Sequence, residues 1–240
     1  IPVNDAPVID LNQVSLTEGA TILLTTLNIS ASDVDTPLSS LQFSVQYVAH
    51  GNFSTISLPG TQILSFSYTA LASSTIQFTH DAGDVPPMWT LVCFDGQNYS
   101  APSNVSVISF VQVNDPPQVL VNDFEMEENQ LLVLNNTVLL ITDDLTPPQE
   151  IIIWVSNIVN GNFVNLTSNT TITSFTMQDV SGSLVGLQQD GSDFGPSFTL
   201  TATDGTFNVS IIPNMNFTNL NDPPILEVYS PITIYQGETF

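Results

Sequence analysis

The side chains able to do chemistry in this chain are nearly all carboxylates. Its 240 residues hold 23 Asp and Glu, two histidines, one cysteine and no lysine or arginine, a formal charge of −23. With no Lys or Arg to pair with, each carboxylate must be solvated, hydrogen-bonded, protonated or held by a metal ion. The metal these donors suit is Ca2+, which takes about six to eight oxygens from carboxylates, carbonyls and water. The same bias excludes function classes. Phosphate neutralisation needs Lys or Arg, so nucleic acid is not a partner. Attraction to an anionic membrane surface is excluded for the same reason.

Catalytic constellations are missing. No Lys or Arg is present to stabilise an oxyanion or a phosphate. His50 and His80 lie thirty residues apart without further Cys or His beside them, which is not a zinc spacing. Cys93 alternates with apolar neighbours and reads as a buried, inert thiol. It has no second cysteine to bridge to, so the fold stands on packing. Paired carboxylates of the kind a glycosidase uses are present, but they recur along the chain and do not form one cleft. Trp89 and Trp154 lie in strand-like runs and read as core residues. The chain is therefore predicted not to be an enzyme.

These acidic residues sit in a repeating frame. Asn4-Asp5-Ala6-Pro7 returns as Asn114-Asp115-Pro116-Pro117 and as Asn221-Asp222-Pro223-Pro224, at steps of 110 and 107 residues. Glu18-Gly19 matches Glu128-Asn129, and Asp33 with Thr36-Pro37 matches Asp143 with Thr146-Pro147. His50-Gly51-Asn52-Phe53 matches Asn160-Gly161-Asn162-Phe163. Asp81 matches Asp190, Trp89 matches Phe198, and Asp95-Gly96 matches Asp204-Gly205. A collinear series of this length marks tandem repetition. It divides the chain into the tail of a preceding repeat (1–5), one repeat over 6–115, a second over 116–222, and the start of a third (223–240). The parent protein is expected to continue on both sides.

The elements that carry these residues are strands. Leu41, Phe43, Val45 and Tyr47 alternate with polar residues, as do Trp89, Leu91 and Cys93, and Phe198, Leu200 and Ala202. A period of two puts one side chain in and the next out. Gly, Pro, Asn and Asp cluster between the runs, and no segment has a helical period. About seven short strands per repeat of about 108 residues is the pattern of an immunoglobulin-like β-sandwich. The fold class is all-β, with repeats placed end to end. The prolines of each Asn-Asp-Pro segment fix their own φ and bias the preceding residue to be extended, so the joints read as short and stiff. No apolar run approaches the about 18 residues of a membrane span.

Several of these motifs resemble known families. Val113-Asn114-Asp115-Pro116-Pro117 resembles the linker that closes cadherin repeats. Ala31-Ser32-Asp33-Val34-Asp35 and Thr201-Ala202-Thr203-Asp204-Gly205 are similar to cadherin Asp-containing motifs. Ser174-Phe175-Thr176-Met177-Gln178-Asp179-Val180 with Gln189-Asp190-Gly191-Ser192, and Phe78-Thr79-His80-Asp81 with Asp95-Gly96, resemble the chondroitin sulfate proteoglycan repeat. The whole pattern resembles the cadherin-like repeats of large cell-surface adhesins. The resemblance implies surface adhesion with Ca2+ at the joints. By that analogy one joint would use Glu18, Asn114, Asp115, Asp143, Asp144 and Asp204. The preceding joint would use Asn4, Asp5, Asp33, Asp35 and Asp95, and the following one Glu128, Asn221 and Asp222. Two departures weaken the analogy. Asp33-Val34-Asp35 becomes Asp143-Asp144-Leu145, whose adjacent acids would point to opposite sides of a strand, and the Asp-Arg-Glu motif is missing. Asp before Gly and Asn-Asp-Pro are also ordinary turn elements, and Glu18 can serve as an acceptor for backbone N–H groups.

Nine Asn-x-Ser/Thr sequons occur, at Asn28, Asn52, Asn98, Asn104, Asn135, Asn165, Asn169, Asn208 and Asn216. That is about twice what composition gives by chance. They read either as acceptors in a secreted glycoprotein or as the product of an Asn/Ser/Thr-rich composition. Two functions follow for an extracellular, surface-located segment. One is a stiff structural spacer in adhesion or in a fibre, whose partners are neighbouring repeats or other copies in a filament. The other is an adhesive module that grips a glycan or a cell-surface protein through the repeat surface.

Overall fold

The computed structural model describes residues 3–224. The expected start of a third repeat lies outside the described residues, except for Pro223 and Pro224. The chain divides into a unit Ile1–Asn114 and a second that begins at Asp115. Each is an all-β sandwich.

The first unit runs β1 (Val8–Thr17), β2 (Thr21–Leu24), β3 (Ile29–Ser32), β4 (Gln42–Ala49), β5 (Asn52–Thr55), β6 (Ser65–Ser67), α1 (Tyr68–Ala72), β7 (Ile76–Thr79), β8 (Met88–Phe94), β9 (Ser103–Asn104) and β10 (Ser106–Val111). One layer has the order β2-β7-β5 and the other β6-β4-β8-β9. Strand β1 serves both halves of the sandwich. Val8–Asn12 pair antiparallel with β3, and Gln13–Thr17 pair parallel with β10. The ladder shifts register between Ile9 and Leu11, as a bulge does where a strand turns from one sheet towards another.

The second unit repeats this with β11 (Gln118–Glu127), β12 (Leu131–Val133), β13 (Leu139–Thr142), β14 (Ile152–Val159), β15 (Gly161–Asn165), β16 (Thr170–Thr171), β17 (Ser174–Thr176), α2 (Met177–Ser181), β18 (Val185–Gln189), β19 (Ser197–Thr203), β20 (Asn208–Ile211) and β21 (Asn214–Thr218). Its layers are β12-β18-β15-β16 and β17-β14-β19-β20, and β11 pairs antiparallel with β13 and parallel with β21.

Each core is filled by the inward side of the alternating runs. In the first unit Phe43, Phe53, Phe78 and Trp89 are buried, with Phe53 edge-on to Trp89 at 5.1 Å. In the second, Phe163 stands edge-on to Phe198 at 4.9 Å. Such pairs add about 0.5–1.5 kcal/mol beyond the area they bury. Cys93 is buried among them, and burial pushes its thiol up to about 11, so it stays protonated and inert. Three expectations fail. Tyr47, which alternation places on the face of Leu41, Phe43 and Val45, is half exposed, because β4 shifts register between Val45 and Tyr47. Trp154 is not a core residue: its side chain is half exposed, because Ile153 takes the inward position of β14. Two five-residue helices also appear. They are too short to show a period, and caps make them: Ser67 Oγ accepts from Ala70 N, while Thr176 and Asp179 form a reciprocal capping box.

Candidate metal-binding ends of the repeats

The candidate ligand residues lie at the two ends of each sandwich, where strands give way to turns. In the first unit, Asp33 follows β3 and precedes a bend. Its Oδ1 accepts the backbone N–H groups of Asp35 (3.0 Å) and Thr36 (2.7 Å). Such a turn satisfies one carboxylate oxygen and aims the other away from the backbone. That other oxygen, Asp33 Oδ2, is shielded from solvent and has no hydrogen-bond donor. Asp35 lies beside it and accepts the N–H of Asp5 at 3.3 Å. Asp95, in the turn after β8, accepts from Gln97 N (2.6 Å), Asn98 N (2.7 Å) and Asn4 Nδ2 (2.8 Å). Asn4, Asp5, Asp33, Asp35 and Asp95 are therefore brought together at one end of the first sandwich.

The electrostatics there show crowding. Contact with the Asp33 carboxyl, and then burial, lifts the Asp35 carboxyl above the ordinary carboxylate range. Burial also works to raise Asp33, but hydrogen bonds from Asp35 and Thr36 and the contact with Asp35 hold it below that range. Asp95 is held low first by the Asn98 N–H, against some burial, with Asn4 and Gln97 adding to it.

The second unit builds the same end from a different spacing. Asp143 Oδ1 accepts from Leu145 N (3.1 Å) and Thr146 N (2.8 Å), and its Oδ2 is buried without a donor. Asp144 Oδ1 accepts from Asp115 N at 3.2 Å, just as Asp35 accepts from Asp5, and Asp144 Oδ2 is a second buried oxygen without a donor. The expectation that adjacent acids would diverge rested on strand alternation. Residues 143 and 144 lie beyond β13, where the bend begins and that rule does not operate. Asp144 thus does from one residue earlier what Asp35 does. Asp204 Oδ1 accepts from Thr206 N and Phe207 N, both at 2.6 Å, as Asp95 does in its own turn.

At the other end of each sandwich the buried Glu18 accepts from Val113 N at 2.9 Å, and the buried Glu128 accepts from Leu220 N at 3.0 Å. Both tie the departing linker to the start of the repeat. Carboxylate oxygens of Glu128, Asp193 and Asp222 lie within 4.8 Å of one another, and those of Glu18 and Asp84 are equally close. Asn114 is the last residue of the first unit, and Asn221 donates to Asp222 O at 3.1 Å. Asp84 and Asp193 were missed from the sequence, although their separation of 109 residues matches the repeat step. Of the nine sequon asparagines, Asn98, Asn104, Asn169, Asn208 and Asn216 are exposed, and Asn28, Asn52, Asn135 and Asn165 are half-buried. His50 and Asn160 both take positive φ, so they hold the same turn position in their two repeats.

Among curated proteins the chain is 32% identical over 200 residues to Extracellular matrix protein 3 of Lytechinus variegatus, covering 81% of the chain. It is 28% identical over 197 residues to human FRAS1-related extracellular matrix protein 2, covering 80% of the chain. The chain spans 6% of the length of each of these relatives. Among solved structures, protocadherin gamma B2 extracellular cadherin domains 1–5 match at 16% identity and a TM-score of 0.45, over 93% of this chain and 42% of that one. A model of the cadherin-like family matches twice in tandem, over residues 7–109 and 117–216. The chain is a pair of repeats that belongs to the cadherin-like family.

Proposed function

We propose that this segment is a spacer in an extracellular matrix or fibre protein, and that its repeats bind Ca2+ at the acidic ends that face their N-terminal linkers. That the segment is an extracellular repeat module and not an enzyme follows from its family and its relatives. Among the described residues no helix is long and apolar enough to cross a membrane.

The observation that carries the calcium reading is the set of buried carboxylate oxygens without donors, at Asp33, Asp143 and Asp144. A buried polar atom without a partner costs about 1–3 kcal/mol, and more when charged, so its persistence points to a ligand. The donors around it are all oxygens, which fits a hard cation. In the first repeat Asp5, Asp33, Asp35 and Asp95 would hold the ion. In the second, Asp143, Asp144 and Asp204 would do so, with Asp115 giving its backbone N–H to Asp144. Bound Ca2+ would neutralise the crowded carboxylates and fasten the incoming linker to its own repeat. Glu18 and Glu128 act at the opposite end as hydrogen-bond clamps on the outgoing linker.

Thermal unfolding in EDTA and then in Ca2+ tests this. Ca2+ at about 100 times its Kd should stabilise each repeat by about 2.7 kcal/mol. Asp33→Asn should abolish the shift in the first repeat and Asp143→Asn in the second. An unchanged midpoint in the unsubstituted chain would sink the calcium reading.

The spacer reading rests on repetition and on proline-restricted linkers. The adhesive reading draws support from Trp154, half exposed on a sheet face. Saturable binding of the chain to a cell surface or a glycan would favour adhesion. Its absence, with intact folding, would favour the spacer.

A further inference from the structure

The sequons differ in what surrounds them. Two of the exposed asparagines stand on an outer sheet face opposite large apolar side chains. In the first repeat Tyr47, Thr90 and Asn104 are successive register partners on β4, β8 and β9. All three point outward, since their neighbours Leu91 and Trp89 point into the core. Thr90 Oγ1 donates to Asn104 Oδ1 at 2.7 Å, which fixes the carboxamide through its oxygen. Beside them lies a shallow groove of about 190 Å3, lined by Tyr47, Met88, Trp89, Thr90, Asn104 and Val105. Tyr47 and Met88 are each about half exposed along it.

The second repeat reaches the same arrangement with other residues. Ile152, Thr203 and Asn208 are successive partners on β14, β19 and β20. Trp154 stands two residues along the same face, opposite Thr201, whose next partner is Ser210, the hydroxyl residue of the sequon Asn208-Val209-Ser210. Asn208 is not the repeat counterpart of Asn104. Its partner Thr203 precedes Asp204 as Phe94 precedes Asp95, whereas Asn104 pairs with Thr90. The shared layout of asparagine, threonine and exposed aromatic is thus not a by-product of the repeat.

We propose that Asn104 and Asn208 carry N-linked glycans whose first sugars lie across these faces, over Tyr47 in the first repeat and Trp154 in the second. Asn104 and Tyr47 are separated by two strand intervals, about 10 Å, and Asn208 and Trp154 by two strand intervals and two residues along the strand, about 12 Å, both within reach of the first two sugars. A pyranose offers an apolar C–H face and a hydroxyl rim, which matches an aromatic flanked by threonine and serine hydroxyls. In the attachment step, Asn Nδ2 bonds to the anomeric carbon of an oligosaccharide carried on a polyprenyl pyrophosphate. The bond from that carbon to the phosphate oxygen breaks, the lipid pyrophosphate leaves with the electron pair, and the amide loses one proton. The glycan shields the apolar face that each sandwich otherwise presents to water, and so keeps that face from pairing with another chain.

The test is the chain secreted from animal cells. Digestion with chymotrypsin after glycosidase treatment in heavy-oxygen water should leave labelled Asp at positions 104 and 208. The N-acetyl methyl protons of the attached sugars should be shifted upfield by the aromatic rings, and Tyr47→Ala and Trp154→Ala should each remove one of those shifts. Both side chains are half exposed, so these variants keep the fold. Removing the glycans from the unsubstituted chain should raise the fluorescence of a bound apolar dye several-fold. Unlabelled asparagine at both positions would overturn the proposal. So would methyl signals that the aromatic substitutions leave in place, or dye binding unchanged by deglycosylation. None of these outcomes touches the calcium reading.

Discussion

In the first repeat the buried amide of Asn12 receives the indole N–H of Trp89 at 2.7 Å and gives its own N–H to Ser103 O at 2.8 Å. In the second repeat Asn122 gives its N–H to Ile212 O at 2.9 Å, but Phe198 stands where Trp89 stood, and Asn122 Oδ1 is buried without a donor. Phenylalanine fills the core and supplies no hydrogen bond. A second pair of positions ends differently. His80 Nδ1 accepts from Gly19 N and Ala82 N, so Nε2 carries the proton and donates to Val85 O. Gln189 does the same work with an amide: its oxygen accepts from Asn129 N and Gly191 N, and its nitrogen donates to Ser192 O. Imidazole and carboxamide are interchangeable there because the fold asks only for one acceptor and one donor. The two repeats diverge freely where the replacement keeps the hydrogen-bonding roles, and where it does not, a buried acceptor is left over.

The comparison can be broken most forcefully at His80 and Gln189. Alanine at either position strands two backbone N–H groups, and each repeat should lose about 2–4 kcal/mol in denaturant unfolding. His80→Gln should cost less than about 1 kcal/mol, since it installs the second repeat's solution. A His80→Gln cost as large as that of His80→Ala would refute the equivalence. A smaller asymmetry is expected at the amides. Asn12→Leu strands the Trp89 N–H and should cost about 1–3 kcal/mol. Asn122→Leu removes an oxygen that already lacks a donor, so it should cost less, and equal losses would show that the orphaned acceptor carries no penalty. The smallest effect is electrostatic. Asp190 is held below its ordinary value of 3.8, first by the Ser192 hydroxyl and then by the Ser192 N–H. A depressed carboxylate contributes stability above its unfolded pKa and loses it as pH falls through the folded value. The midpoint difference between the unsubstituted chain and Asp190→Asn should therefore be present near neutral pH and vanish in strong acid. A constant difference across that range would place the effect elsewhere.

Much of this architecture was legible as spacing. The landmarks 107 to 110 residues apart give the repeat, and the alternation around Phe43 and Leu200 gives the strands. Trp154 was misread because Ile151-Ile152-Ile153-Trp154-Val155 is apolar throughout and shows no phase. The repeat frame held the answer, since Trp154 matches Ser44, an outward position. The acidic end was legible as a set of residues but not as geometry. Period two applies to strands, and Asp143 and Asp144 had already left theirs. Asp84 and Asp193 escaped notice because neither belongs to a recognisable motif. Only the fold brings their carboxylates close to Glu18 and Glu128.

One feature of the topology bears on what such repeats withstand. The second half of β1 runs parallel to β10 over five residue pairs, and β11 runs parallel to β21 over five more. The first and last strands of each sandwich are thus bonded side by side in the same direction. Tension applied through the two linkers pulls these strands past one another, and their hydrogen bonds are loaded in shear together. An antiparallel hairpin pulled from its open end would instead give way one bond at a time. Each repeat therefore meets a stretching force with its ladder acting as a single fastening.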